Sequence, residues 1–168
     1  MIPDWVRIGG ACILPHVGGT IGAVATNTEE RKKWYESLAK PKWCPPNWIF
    51  PPAWFTLYTG MGYASYLVWK NGGGFQGDNL IPLSLYGSQL ALNWAWTPIF
   101  FGAHKKGAAA VEIAVLVGAV GVTAVAFYRV DKVAGLLMVP YWLWSVFAAA
   151  LNVRIWQLNQ EDTPDEDI

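Results

Sequence analysis

The chain has 168 residues, 54% of them hydrophobic and 15% aromatic, with 12 basic and 12 acidic side chains and no net charge. Charged residues make up 14%, against roughly a quarter in soluble domains. A neutral chain without a basic, aromatic-interleaved surface carries no nucleic-acid footprint, and the length fits one domain over 1–168 with a short acidic tail at about 157–168.

A helix that crosses a bilayer needs ~20 predominantly apolar residues. Five segments supply them, 8–26, 47–69, 79–103, 107–128 and 133–153, and Glu112 is the one charge among them. The expected fold class is an all-α membrane protein, a bundle of five transmembrane helices.

The first segment follows no basic leader and contains Gly18-x-x-x-Gly22 and Gly19-x-x-x-Ala23. It reads as a span whose small residues permit close packing, not as a signal peptide. No Arg-rich transit peptide is visible, so targeting is placed within the spans. Cys12 and Cys44 have no CxxC or zinc spacing and read as free thiols.

The second segment opens with "KPKWCPPNWIFPPAWFTLY", residues 40–58. Pro51 and Pro52 each lack an N–H and crowd the carbonyl four residues back. Two readings stay open. An irregular first turn could aim Phe50, Ala53 and Trp54 into a space between helices, or the helix could simply begin at Pro51, where the missing donor costs nothing.

In the third segment Gln89, Asn93 and Trp96 share a helix face. Amides inside a membrane face the bundle interior, as helix–helix bonds or as ligand contacts. Glu112 in the fourth is either functional or snorkels toward Lys105 and Lys106. In the fifth, Trp144, Ala148, Leu151 and Asn152 share a face. These faces describe an apolar, Trp-lined pocket with few polar handles, suited to a large flat ligand. GxSxG, HExxH and phosphate-loop motifs are absent, and His16 and His104 have no companion ligands. No catalytic residue, metal or cofactor is expected.

The stretches "WYESLAKPKWCPPNWIFPPAWFTLYTGMGYASYLVWK", "LSLYGSQLALNWAWTPIFFGA" and "VPYWLWSVFAAALN" resemble the translocator protein family, also called TspO/MBR or peripheral benzodiazepine receptor. The resemblance runs from about Trp5 to Trp156, and animal members look closest. It implies a five-helix, often dimeric protein that binds cholesterol, porphyrins such as protoporphyrin, and benzodiazepine-like or isoquinoline carboxamide drugs. For an animal-type member it implies the mitochondrial outer membrane; a prokaryotic source would place the chain in a bacterial membrane.

By matching position, the implied pocket comprises Ala23 and Thr26 from the first span and Phe50, Pro51, Ala53 and Trp54 from the second. Asn93 and Trp96 come from the third, Ala108 from the fourth, and Trp144, Ala148 and Leu151 from the fifth. Ala108 stands where mammalian members carry a pocket tryptophan, a change that widens the pocket. The loose sterol pattern near the C-terminus is also lost: "LNVRIWQ" has no tyrosine, and Gln157 replaces the basic residue. Sterol contacts are expected on the outer face of the last span at Leu151 and Arg154. The favoured function is a receptor or carrier for lipophilic ligands. Light-dependent porphyrin degradation at Trp54 and Trp144 is an enzymatic alternative, and a scaffold acting through "TEERKKWYESL" is a structural one.

With five spans, Arg31, Lys32, Lys33, Lys40, Lys42, Lys105, Lys106 and Arg154 lie on one side, and Arg7, Lys70, Arg129 and Lys132 on the other. That asymmetry places the C-terminus in the cytosol. Protease added to intact mitochondria should therefore clip the tail after Trp156 and spare the N-terminus; the reverse pattern would invert the topology.

Overall fold

The computed structural model describes residues 2–26 and 28–160, with the backbone alone at Asp78. Most of the acidic tail, 161–168, lies outside the described residues. Six α-helices follow one another: α1 (Asp4–Thr26), α2 (Glu29–Ser37), α3 (Phe50–Asn71), α4 (Leu80–Thr97), α5 (Lys106–Val130) and α6 (Lys132–Leu158). Short 3-10 turns, Asn47–Ile49 and Gly77–Asn79, lead into α3 and α4, and a π turn, Pro98–Gly102, follows α4. Among the described residues there is no strand.

Three helices, α1, α5 and α6, are long and apolar enough on their own to cross a membrane. Helices α3 and α4 occupy the second and third apolar segments, where tyrosines, indoles and amides dilute the aliphatic content. Helix α1 packs on α3 and α4, α5 runs along α4 and α6, and α6 closes the ring against α3. The core between them is apolar: Met61, Val68, Val120, Phe127, Met138 and Tyr141 are fully buried.

The helix ends segregate. At one end Lys70 Nζ lies 3.1 Å from Asp4 Oδ2, and Asn71 Nδ2 donates to Asp131 Oδ2 at 2.5 Å. Asp131 also caps α6, accepting from the Ala134 N–H at 2.8 Å. At the other end Asn159, after α6, meets Ala39, after α2, so both basic groups named above sit at opposite ends.

The prolines at 51 and 52 fall in the first turn of α3, behind the 3-10 turn, where a helix leaves its N–H groups unbonded anyway. Pro15 is different, because it lies inside α1 and is buried. Its missing N–H leaves the Ala11 carbonyl without its helical donor. Gly62 of α3 packs at that spot: a Cβ there would stand 2.4 Å from Ala11 O and 2.6 Å from Cys12 Cα. Gly62 thus supplies the closest backbone approach between spans, a position the GxxxG spacing of α1 did not single out. The α1 glycines seat side chains instead. Added Cβ atoms would meet the Trp94 indole at 2.1 Å from Gly18 and the Tyr58 ring at 2.5 Å from Gly19. Trp94 Nε1 then donates to Pro15 O at 3.2 Å.

Helix α2 was not expected, since "TEERKKWYESL" reads as a charged loop. Its start is set by Thr28, whose hydroxyl accepts from the Arg31 N–H at 3.3 Å.

Substituting Gly62 by Val should lower stability by ~1–3 kcal/mol, as overpacking against fixed backbone does. Gly60, with nothing within 4 Å of an added Cβ, should accept Ala with a gain of up to ~1 kcal/mol from helix propensity. Thermal unfolding in detergent compares them; equal melting of both variants would dismiss the α1–α3 contact.

Candidate ligand site

Four buried polar groups cross the bundle in a connected chain. Tyr58 OH of α3 donates to Asn93 Oδ1 at 2.6 Å, and Asn93 Nδ2 donates to Tyr141 OH of α6 at 3.1 Å. Tyr141 OH in turn donates to Gln89 Oε1 at 2.9 Å. Gln89 is wholly buried, and its Nε2 reaches only Met61 Sδ at 3.8 Å, a weak acceptor. The inward face read from the sequence thus holds helices together. Asn93 has both ends of its amide engaged, so a ligand would have to share or displace a tyrosine to bond it.

One turn further along α4, Trp96 Nε1 donates to Asn152 Oδ1 at 2.8 Å, and Asn152 Nδ2 donates to the Lys106 carbonyl at 3.2 Å. The Trp96 ring stacks on Phe100 of the π turn, centroids 4.9 Å apart and planes at 12°. Buried Leu151 and half-buried Phe50 join this second cluster.

Between the clusters stands a group of rings. Trp144 meets Trp54 edge-on at 6.4 Å and Phe50 at 6.0 Å, and Trp54 also touches Tyr58 and Tyr141. The Trp144 indole N–H is buried and has no acceptor among the described residues. An unpaired donor in apolar surroundings costs ~1–3 kcal/mol, so a ligand carrying a carbonyl, ester or hydroxyl gains by accepting from it. On the outer side of this group a groove of about 750 Å³ opens between α3 and α6, lined by Pro52, Ala53, Thr56, Leu143 and Trp144 among others.

The end of the bundle nearest these rings is covered. Asn159 Oδ1 accepts from the Ala39 N–H at 3.0 Å, while its Nδ2 donates to Ala39 O at 2.9 Å and Ile155 O at 2.7 Å. Trp34 of α2 stacks on His104 at 4.0 Å, and Leu38 is buried. Burial pushes the Tyr35 phenol up to about 12, so it stays neutral and Lys40, 4.4 Å above its ring, makes a cation–π contact. Arg31 is drawn to the Ala25 carbonyl and Lys32 to Glu29 at 3.2 Å.

Of the residues expected at the pocket, Phe50, Ala53, Trp54, Trp96, Asn93, Trp144, Ala148 and Leu151 lie in or against these clusters or line the groove. Ala23, Pro51 and Ala108 are exposed, and the Thr26 hydroxyl bonds back to Gly22 O at 2.8 Å. Leu151 and Arg154 differ in burial: Leu151 is buried, and Arg154 is exposed beside Gln157. A smaller groove of about 470 Å³ lies between α5 and α6, lined by Ala110, Ala114, Val153 and Trp156 among others. Both Glu112 carboxyl oxygens are buried and have no partner among the described residues, so the side chain does not reach Lys105 or Lys106. Sequence reasoning missed Tyr58 and Tyr141. A tyrosine near the middle of each partner span was the available signal, since a buried hydroxyl there needs a mate. Cys12 and Cys44 are free thiols, and no group of three or more metal-binding side chains occurs among the described residues.

Residues 11–157 match the model of the TspO/MBR family. The chain is 48% identical to the Translocator protein of Bos taurus over 160 residues, 95% of this chain and 94% of that one. It is 46% identical to the Translocator protein of Homo sapiens, with the same coverage. The Tryptophan-rich sensory protein of Cereibacter sphaeroides is 40% identical over 93% of both chains.

Removing one oxygen tests the polar chain. Tyr58→Phe orphans one acceptor, Asn93 Oδ1, whereas Tyr141→Phe strands both the Asn93 donor and the Gln89 acceptor. At ~1–3 kcal/mol per orphaned buried group, Tyr141→Phe should destabilise the detergent-solubilised protein about twice as much. A milder effect from Tyr141→Phe would disprove the connected arrangement.

Proposed function

The chain belongs to the TspO/MBR family, and we propose that it is a five-span membrane receptor or carrier for flat lipophilic ligands: protoporphyrin, cholesterol and benzodiazepine-like drugs. The observation that carries this reading is the Phe50–Trp54–Trp144 ring group with its unpaired indole N–H. Indole faces stack on a broad π system, and the single donor fixes the ligand's orientation. Trp96, Ala148 and Leu151 extend the apolar wall, and Lys33, which has no partner among the described residues, could meet a porphyrin carboxylate at the α2 end.

Sterol binding is proposed for the outer flank of α6, in the α5–α6 groove whose wall includes Val153, with Arg154 next to it in the chain. The groove's small residues Ala110 and Ala114 suit a flat ring system, and the Arg154 head can reach a hydroxyl at the interface while its stem lies on apolar surface. The basic asymmetry between the two ends supports a cytosolic C-terminus. The similarity to mammalian relatives supports the mitochondrial outer membrane and, as the family implies, a homodimer.

Titrating purified protein separates the two ligand sites. Trp54→Ala should weaken protoporphyrin binding more than tenfold, since losing a buried aromatic contact is worth ~1–3 kcal/mol and about 1.4 kcal/mol is a factor of ten. Cholesterol affinity should survive that change and fall in Arg154→Leu. Unchanged protoporphyrin affinity in Trp54→Ala would place its site elsewhere.

A further inference from the structure

The ring group is closed to water at the α2 end and open to the bilayer on its flank. At the α2 end the Ala39–Asn159 pairing, the Trp34–His104 stack and buried Leu38 cover the bundle. On the flank, the groove runs from Trp48 in the 3-10 turn to Leu57 of α3. Trp48, at its rim, is 72% exposed.

Trp144 belongs to both compartments. It lines the groove and touches Trp54 and Phe50, so it is the partition between the bilayer side and the ring group. Its buried N–H still lacks an acceptor. Pro140, also in the wall, removes one backbone bond from the middle of α6. The helix that carries the partition is thereby easier to bend at that level.

We infer that lipophilic ligands reach the interior sideways from the bilayer, and that the α3–α6 groove is their vestibule site, with Trp144 donating its N–H to a carbonyl or hydroxyl of the arriving molecule. The inference rests on the ligand reading above and adds the route and its first docking point. The occupant is a flat, largely apolar molecule dissolved in the membrane and carrying at least one hydrogen-bond acceptor. Such a molecule is concentrated in lipid before it meets the protein, and the groove is continuous with the rings that hold it.

Binding kinetics decide the matter, with protoporphyrin IX as the probe, its own emission as the signal and the full chain in lipid nanodiscs. Thr56→Phe and Leu143→Trp narrow the groove at residues outside the ring group. Both should slow association and dissociation by about tenfold, within the range single interface changes span, and leave the equilibrium affinity almost unchanged. Thr56→Ala widens the rim and should speed both rates. Asn159→Ala loosens the α2 end and should change neither.

Unchanged rates in all the groove variants would overturn the route and leave the groove to acyl chains. Unchanged rates together with loss of a cross-linked dimer would make it a contact between copies, also against the inference. Faster exchange in Asn159→Ala would move the access to the α2 end, and a faster off-rate alone in the groove variants would make the groove part of the final site. Absence of binding by the native chain would defeat the ligand reading itself, and the route with it. Unaltered rates at intact affinity defeat the route alone.

Discussion

Asn93 has an amide oxygen that accepts and an amide nitrogen that donates, and the apolar interior favours a partner at each end. It finds them in a tyrosine from each neighbouring side, Tyr58 on α3 and Tyr141 on α6. In surroundings without water no substitute partner is available, so the two hydroxyls fix the rotation of both helices about their axes. Trp54 lies one turn from Tyr58 and Trp144 three residues from Tyr141, on faces set by those same rotations. The ring group is therefore a consequence of where the polar chain anchors the helices. The same argument explains why the bundle can leave Trp144's donor unpaired: the orientation of the helices is held elsewhere.

Proline and glycine complement one another in this fold. Pro15 takes a donor away from α1, and Gly62 removes the side chain that would keep α3 from the exposed carbonyl. Pro51 and Pro52 sit where a helix has no use for their donors. Pro140 has no such compensation described around it, and it faces the groove. Backbone defects thus fall at the α1–α3 contact, at the start of α3 and along the α3–α6 flank.

Much of this was legible in the residues. Long uncharged runs separated by charge foretold the helices of the five apolar segments, and the spacing of Gln89, Asn93 and Trp96 foretold an inward polar face. The family resemblance was carried by Trp–Pro and Asn–Trp motifs specific enough to survive without structure. Other features were not legible, for physical reasons. Helix α2 is polar along its length and leaves no apolar periodicity; its cap at Thr28 is the sole local sign. Gly18 and Gly19 suggested backbone contact, but a glycine records only that something is close, and Trp94 and Tyr58 fill the space. The π turn at Pro98–Gly102 adds a residue to a helical turn without changing composition. Leu151 and Arg154 were read as one outer surface; three residues apart they are neighbours around the helix, yet Leu151 is buried in the Phe100 cluster while Arg154 is exposed, a difference in burial that the spacing does not record.

The Asn159–Ala39 pairing joins positions separated by 120 residues. As the chain is made from its N-terminus, α2 meets its first partners in the rings of the π turn and His104, but the strap that follows it lacks Asn159 until α6 is complete and its last turn has emerged. During that interval Leu38 and the rings beneath it border an unfinished bundle. The cover over that end is consequently the last piece of tertiary structure to be set, and closing so long a loop draws on contacts that all earlier helices have already made. A chain interrupted before residue 159 could place most of its helices in the membrane and still lack this closure. It would present to the aqueous side an apolar, ring-rich end of the kind that chaperones and proteases recognise.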